Sequence, residues 1–269
     1  MSGSEALARV RDRLVEQARA DEAVLAAAFT GSLGIGDTDR WSDVDVALGV
    51  AHPPESVAAE WTRWLDSEFG VLHHWDLPTA DARVIRVYLL TNGVEADVSF
   101  LPETEYGARG PRWRAVFGPD PAREPFPAPR HDLLVGLAWH HVRHVRVCLE
   151  RGRLWQAEHW LGALRTQVIS LSCLRLGLPT EYAKGAHLLS EEFTRSLEPT
   201  LPRSLTALEI SRALSALVTV LIGELEHSAP ETAAKLAPAL TCWAGFQGTR
   251  MPPLRGNAPR SPDGATDGL

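Results

Sequence analysis

The chain has 269 residues, of which 45% are hydrophobic and 23% charged, so it can bury a core in one large domain or two small ones. Its net charge of −7 argues against a protein that mainly grips a nucleic-acid backbone, because such proteins usually carry a basic surface. No run approaches the roughly 18 apolar residues of a membrane span, and the N-terminus lacks the apolar stretch of a signal peptide. We therefore expect a cytoplasmic protein, either a monomer or a homodimer.

The first hundred residues predict a mixture of helices and strands. Apolar positions recur at helical spacing over residues 4–21 and 55–69, which predicts two amphipathic helices. Short apolar runs predict strands over 24–29, 44–50 and 71–75, the first of them ending at the turn Thr30-Gly31-Ser32. Residues 83–90 and 94–101 predict a hairpin, since Asn92-Gly93 between them supplies the positive φ angles of a tight turn.

Composition changes at about residue 118, where a proline-rich stretch begins. We predict a mixed α/β domain over residues 1–118, a linker over 119–130 and an all-α domain over 131–248. Residues 249–269 have little to bury, which predicts a disordered tail. The fold class expected is thus α+β, with a small mixed sheet and flanking helices followed by a helical bundle. The three cysteines lie in apolar helical stretches, which predicts buried thiols.

The segment from Gly31 to Asp45 carries the residues with the clearest chemistry. Glycine lets a backbone approach an anion closely, and the hydroxyl of Ser32 adds a donor, so Gly31-Ser32 is suited to binding phosphate. Asp43 and Asp45 point to the same face if they lie on a strand. Two adjacent carboxylates repel each other, and a divalent cation relieves that repulsion. Hard oxygen ligands beside phosphate favour Mg²⁺.

A third acid, Asp97, lies on the second strand of the predicted hairpin, between Ala96 and Val98. A sheet that places this strand beside Asp43 and Asp45 would bring the three carboxylates together. Asp97 would then bind a metal ion or take the proton of an attacking hydroxyl. The alternative is a solvated turn followed by an acidic strand start, which fits less well because Asp45 is flanked by Val44 and Val46.

Gly-Ser, a spacer, Asp-x-Asp and a later acidic strand resemble the polymerase-β-type nucleotidyltransferase superfamily. The short first half and the helical second half are similar to the antibiotic nucleotidyltransferases, which include aminoglycoside and lincosamide adenylyltransferases. The motif match covers residues 30 to 100, whereas the helical half is similar only in general character.

This resemblance implies a magnesium-dependent enzyme that transfers a nucleoside monophosphate, expected to be AMP from ATP, to a hydroxyl of a small molecule such as an antibiotic. Residues 1–118 would be catalytic, residues 131–248 would form the helical acceptor-binding domain, and the acceptor would bind between the two domains. Gly31 and Ser32 would hold the triphosphate, while Asp43, Asp45 and Asp97 would ligate one or two Mg²⁺ ions and form the catalytic set.

Two further residues are assigned to the nucleotide. Lys184 lies in the loop Tyr182-Ala183-Lys184-Gly185, and in similar enzymes a basic residue of the helical half reaches the triphosphate. Ser42 flanks the Asp-x-Asp motif, where it would steady the phosphates or the serine loop.

Two other functions remain open from the sequence. The same chemistry would serve a protein or RNA acceptor, as in toxin–antitoxin nucleotidyltransferases. The same scaffold would also serve as a catalytically silent nucleotide-binding module.

Overall fold

The structure, a computed structural model, describes residues 3–245, so the tail predicted over 249–269 lies outside the described residues. The chain divides into two compact units, residues 1–126 and 127–269. The first contains a six-stranded mixed sheet with helices, and the second is helical. Within 3–245 no helix is both long and apolar enough to cross a bilayer.

Unit 1 contains three helices and six strands in the order α1 (Gly3–Ala20), β1 (Val24–Phe29), α2 (Gly31–Ile35), β2 (Val44–Val50), α3 (Pro54–Phe69), β3 (Val71–Leu77), β4 (Val84–Leu90), β5 (Glu95–Pro102) and β6 (Arg114–Phe117) among the described residues. The strands lie in the order β3-β4-β5-β2-β1-β6, with β2 and β5 parallel and the other neighbours antiparallel. The predicted hairpin is confirmed as β4–β5, with its turn at Asn92-Gly93.

One face of this sheet carries the main core of unit 1. Strand residues alternate between faces, so Val98 and Phe100 of β5 point to the same side. They pack with the apolar stripes of α1 and α3, in which Leu14, Trp61 and Leu65 are fully buried. The helical spacing of these apolar residues explains why both segments fold as amphipathic helices against a sheet.

The opposite face has a much smaller apolar cluster, made of Ala26, Ala28, Ala47, Leu101 and Tyr106. Small side chains dominate it, and Tyr106 fills the space above Gly49, where a β-carbon would lie 2.9 Å from the tyrosine ring. The alternate residues of β2 and β5 that share this face include the predicted acids.

Unit 2 consists of α4 (His131–Glu150), α5 (Leu154–Arg175), α6 (Glu191–Leu197), α7 (Ala207–Ser228) and α8 (Pro230–Ala244), with short 3₁₀ turns between α5 and α7. Its core is built from leucine- and valine-rich stripes of α4, α5 and α7. Arg175 of α5 donates two hydrogen bonds to the Glu224 carboxylate of α7, at 2.7 and 3.0 Å. The Glu224 side chain is only 2% exposed, so this ion pair links the two helices through a buried carboxylate.

Part of the proline-rich stretch is attached to unit 1. The Ala108 amide donates to the Pro121 carbonyl at 2.9 Å, and the Arg123 amide donates to the Ala108 carbonyl at 2.8 Å. The boundary between the units accordingly falls after Phe126.

The prediction of three buried thiols is wrong for one cysteine. Cys148 and Cys173 are buried, but Cys242 is exposed. Cys242 lies on the outer side of α8, whose buried positions are Ala233, Leu240 and Ala244.

Candidate active site

The Gly31-Ser32 turn is held against strand β2 at Asp45. The chain leaves β1, passes through Thr30 and enters α2 with Gly31 at φ +56°, a left-handed value that favours glycine. A β-carbon built on Gly31 would lie 2.8 Å from Cγ of Asp45, closer than atoms normally pack. The Thr30 amide also donates to the Asp45 carbonyl at 3.1 Å. Glycine is therefore required here for two reasons, its φ angle and the nearby carboxylate.

Ser32 follows directly and presents a polar atom with no neighbour to bond. Its hydroxyl oxygen is buried and has no hydrogen-bond partner within residues 3–245. A buried hydroxyl without a partner is costly, because it has lost its hydrogen bonds to water. A ligand oxygen reaching this turn would satisfy it.

Four carboxylates lie on the small-cluster face of the sheet, one on β2, one immediately before it and two on its parallel neighbour β5. Asp45 of β2 is directly opposite Asp97 of β5, and Val44 is opposite Ala96. Asp43, one residue before β2, therefore comes alongside Glu95 at the start of β5. Carboxylate oxygens of Asp43, Glu95 and Asp97 lie within 4.8 Å of one another. The structure thus brings Asp43 and Asp97 together, as the sequence predicts.

The positions of Asp45 and Glu95 differ from those that the sequence predicts. The Asp45 carboxylate lies against Gly31 and is not one of the three clustered groups, although its Cα is paired with that of Asp97. Glu95 belongs to the cluster and was not predicted as a site residue. The signal that could have found it is its position two residues before Asp97, which places both side chains on one face of a strand.

The loop before β2 is held by the side chains of Asp39 and Ser42. The Ser42 hydroxyl accepts a hydrogen bond from the Asp39 amide at 2.9 Å and donates to the Asp39 carboxylate at 3.2 Å. The same carboxylate accepts from the Trp41 amide at 2.8 Å. These bonds fix the backbone immediately before Asp43. A role of Ser42 in holding the nucleotide stays a prediction.

Lys184 lies in unit 2, just after the 3₁₀ turn at Glu181–Ala183. Its ammonium is 6.0 Å from the centre of the Tyr182 ring, and its amide donates to the Glu181 carbonyl at 2.9 Å. Tyr182 and Ala183 both have positive φ angles, 51° and 57°, which L-residues seldom adopt. Contact of Lys184 with a triphosphate stays a prediction.

A cavity of about 270 Å³ adjoins the acid cluster in unit 1. Its lining includes Asp43 and Glu95, together with Arg40, Trp41 and the Asn92-Gly93 turn. The Arg40 guanidinium stacks on the exposed Trp41 ring at 4.6 Å. Two acids of the cluster, Asp43 and Glu95, are thus accessible from this cavity.

The donor set fits a hard divalent cation. All the clustered ligand atoms are carboxylate oxygens, which Mg²⁺ prefers, and the buried Ser32 hydroxyl lies on the turn that contacts Asp45. Without a cation, carboxylates at this separation repel each other. The arrangement can therefore hold a metal ion next to an anionic ligand.

No protein-family model and no curated protein matches the chain. Among solved structures, the chain is similar to an aminoglycoside 6-adenyltransferase from Bacillus subtilis, at 13% identity and a TM-score of 0.37. The match covers 85% of this chain and 96% of the other. A likeness at this TM-score does not establish a common activity.

Proposed function

We propose that the chain transfers a nucleoside monophosphate from an NTP, expected to be ATP, to a hydroxyl of a small acceptor, with Mg²⁺ and release of pyrophosphate. The observation that supports this most is the convergence of Asp43, Glu95 and Asp97 to within 4.8 Å. Asp43 immediately precedes β2, and Glu95 and Asp97 lie on β5, which is parallel to β2 but distant from it in sequence; Asp45 of β2 packs against Gly31 of the Gly31-Ser32 turn.

Asp43, Asp45 and Asp97 would hold one or two Mg²⁺ ions, and Glu95, which belongs to the same cluster as Asp43 and Asp97, would add a further carboxylate. The cation would neutralise phosphate charge and so make the α-phosphorus easier to attack. The Gly31 backbone and the Ser32 hydroxyl would donate hydrogen bonds to the β- and γ-phosphates. Lys184 is the basic residue proposed to reach the same phosphates.

The proposed reaction is a displacement at the α-phosphorus of the NTP. The acceptor hydroxyl oxygen forms a bond to the α-phosphorus, and the bond from that phosphorus to the oxygen bridging to the β-phosphate breaks. Pyrophosphate leaves with the electron pair of that bond, and Asp97 takes the hydroxyl proton. Positioning and electrostatic stabilisation supply most of the rate in such transfers.

The test is transfer of label from α-labelled ATP, with Mg²⁺, to a panel of hydroxylated aminoglycosides and lincosamides. We expect Asp43→Asn and Asp97→Asn to lower the rate by at least about a hundredfold, the size of effect typical of removing one electrostatic group. Glu60→Gln is the matched control, because it removes an exposed acid from α3, away from the cluster.

The outcomes separate the alternatives. Wild-type rates in both aspartate variants would refute the site. Binding of Mg·ATP without turnover on any small molecule, protein or RNA would favour the silent module. Label on a protein or an RNA end, but on no small molecule, would move the acceptor to that class.

A further inference from the structure

A mainly apolar patch lies on the same sheet face as the acid cluster, on the neighbouring strands β3 and β4. We name it the strand patch, and its residues are His73, Trp75, Leu77, Val87 and Leu89. Together with Glu95 and Asp97 they line an open cavity of about 450 Å³. Trp75 is 50% exposed and Leu89 is 44% exposed. Exposed apolar side chains that adjoin one another commonly mark a binding surface.

The strand register aligns this patch with the acids in two rows. Trp75 of β3 pairs with Val87 of β4, which pairs with Asp97 of β5. His73, Leu89 and Glu95 form the neighbouring row in the same way. Adjacent strands are about 4.8 Å apart, so the Trp75 backbone is about 10 Å from that of Asp97. A molecule of one or two rings spans that distance.

The charge of this surface favours a cationic ligand. Glu95 and Asp97 are the charged carboxylates of the cavity lining, which contains no Lys or Arg among the described residues. Asp43 and Asp45 add two more acids at the adjoining strand. Two Mg²⁺ ions would balance four carboxylates, and a bound triphosphate would bring about four further negative charges. An amine beside Glu95 would therefore be attracted even in the loaded site.

We infer that the strand patch binds the acceptor, and that the acceptor is a hydroxylated amine with an apolar ring face. Its ring would lie on Trp75 and Leu89, its ammonium beside Glu95, and its hydroxyl at Asp97. The patch is an acceptor site only if the proposed function holds, so this inference rests on that function. It makes Trp75 a residue that determines specificity, because a flat aromatic surface selects a ring face.

The test measures binding without nucleotide, by fluorine NMR of protein labelled with 5-fluorotryptophan. The Trp75 resonance is assigned by its absence from Trp75→Phe. The probes are phenylethanolamine, which has ring, hydroxyl and ammonium, ethanolamine, which lacks the ring, and 2-phenylethanol, which lacks the ammonium. We expect phenylethanolamine to shift the Trp75 resonance and to bind about tenfold more tightly than either partial probe, equivalent to about 1.4 kcal/mol.

Substitutions locate the binding. Trp75→Ala and Leu89→Ala should each weaken phenylethanolamine about tenfold, and Glu95→Gln should remove its advantage over 2-phenylethanol. Leu72→Ala is the matched control, since Leu72 is 63% exposed on the same strand but does not line the cavity. An unmoved Trp75 resonance, or equal binding by wild type and Trp75→Ala, would overturn the inference.

The same proteins separate acceptor binding from self-association of the chain. Dissociation of a dimer by Trp75→Ala in sedimentation velocity would show that a second copy covers the patch, and would refute acceptor binding there. If amines do not bind the patch but Asp43-dependent transfer proceeds, only the acceptor inference fails. If the amine binds but Mg·ATP neither binds nor reacts, it is the proposed function that fails, and with it the assignment of the bound amine as an acceptor.

Discussion

Replacing Gly31 by alanine tests whether the position of the Asp45 carboxylate matters for function. The new β-carbon would lie 2.8 Å from Cγ of Asp45, whereas carbon atoms pack at about 3.5–4.0 Å. The carboxylate must therefore move by at least about 1 Å, because its Oδ2 lies nearer still to the new β-carbon than Cγ does. It can do so by rotating its side chain, so the main effect falls on the geometry of the site rather than on the fold.

Gly36→Ala is the matched control for the cost of placing alanine at a positive φ angle. Gly36 has φ +73°, similar to the +56° of Gly31, but a β-carbon built on it has no described atom within 4 Å. Both substitutions place an L-residue in the left-handed region, at a cost of about 1 kcal/mol each in the free energy of unfolding. Only Gly31→Ala adds the displacement of a carboxylate.

The assay is calorimetric binding of Mg·ATP, followed by transfer of label once an acceptor is known. A displacement of about 1 Å at a reacting centre can lower the rate about a hundredfold. We expect that loss for Gly31→Ala and less than about threefold for Gly36→Ala, with comparable falls in melting temperature. Equal activity of the two variants would refute a role for the carboxylate held at Gly31.

Three further outcomes are expected. Mg²⁺ at about a hundred times its Kd should raise the free energy of unfolding by about 2.7 kcal/mol. Asp43→Asn should raise the melting temperature of the metal-free protein and abolish the stabilisation by Mg²⁺; if Mg²⁺ stabilises this variant as much as wild type, the site is contradicted. Arg175→Met should lower the free energy of unfolding by about 3 kcal/mol, since it leaves Glu224 buried without its cation, and Arg175→Met/Glu224→Met should recover most of the loss in a denaturant titration. Hydrogen bonds from Arg86 lower the pKa of Asp76 in the folded protein. The stability that they contribute is therefore fully present above the pKa of about 3.9 that Asp has in the unfolded chain. It is lost as the pH falls through the lowered pKa of the folded state. The stability gap between wild type and Asp76→Asn should accordingly close in acid melts; a gap that does not change with pH would disprove the linkage.

The elements of unit 1 were largely predictable because their signals are local. The strands over 24–29 and 44–50 have the predicted bounds, and the two helices begin one residue earlier than predicted and end within one residue. Asn92-Gly93 fixes its hairpin through the φ angles of two residues. Strand β6 and the short helix α2 were not predicted. Each is four or five residues long, too short for a periodic pattern to develop.

The composition of the acid cluster was harder to predict because it depends on pairing between distant segments. Asp43 and Asp97 are brought together by the parallel register of β2 and β5, which no local pattern states. Glu95 resembles an ordinary exposed residue at a strand start until β2 is placed beside it. Spacing, the flanking valines and the resemblance predict that Asp45 binds metal, whereas its place against Gly31 depends on how β1 ends.

One face of the sheet carries the main hydrophobic core, and the other face carries the acids of the candidate site. Trp61, Phe100 and the leucines of α1 and α3 lie on the face opposite the acids, and they provide most of the buried apolar surface of unit 1. The acid face contributes only a small cluster of alanines with Leu101 and Tyr106. Conservative changes to the carboxylates therefore leave the main core intact, because no core residue loses a neighbour. Substitutions at the acids should thus separate binding and turnover from folding, which makes loss of activity in a folded variant a fair test of the site.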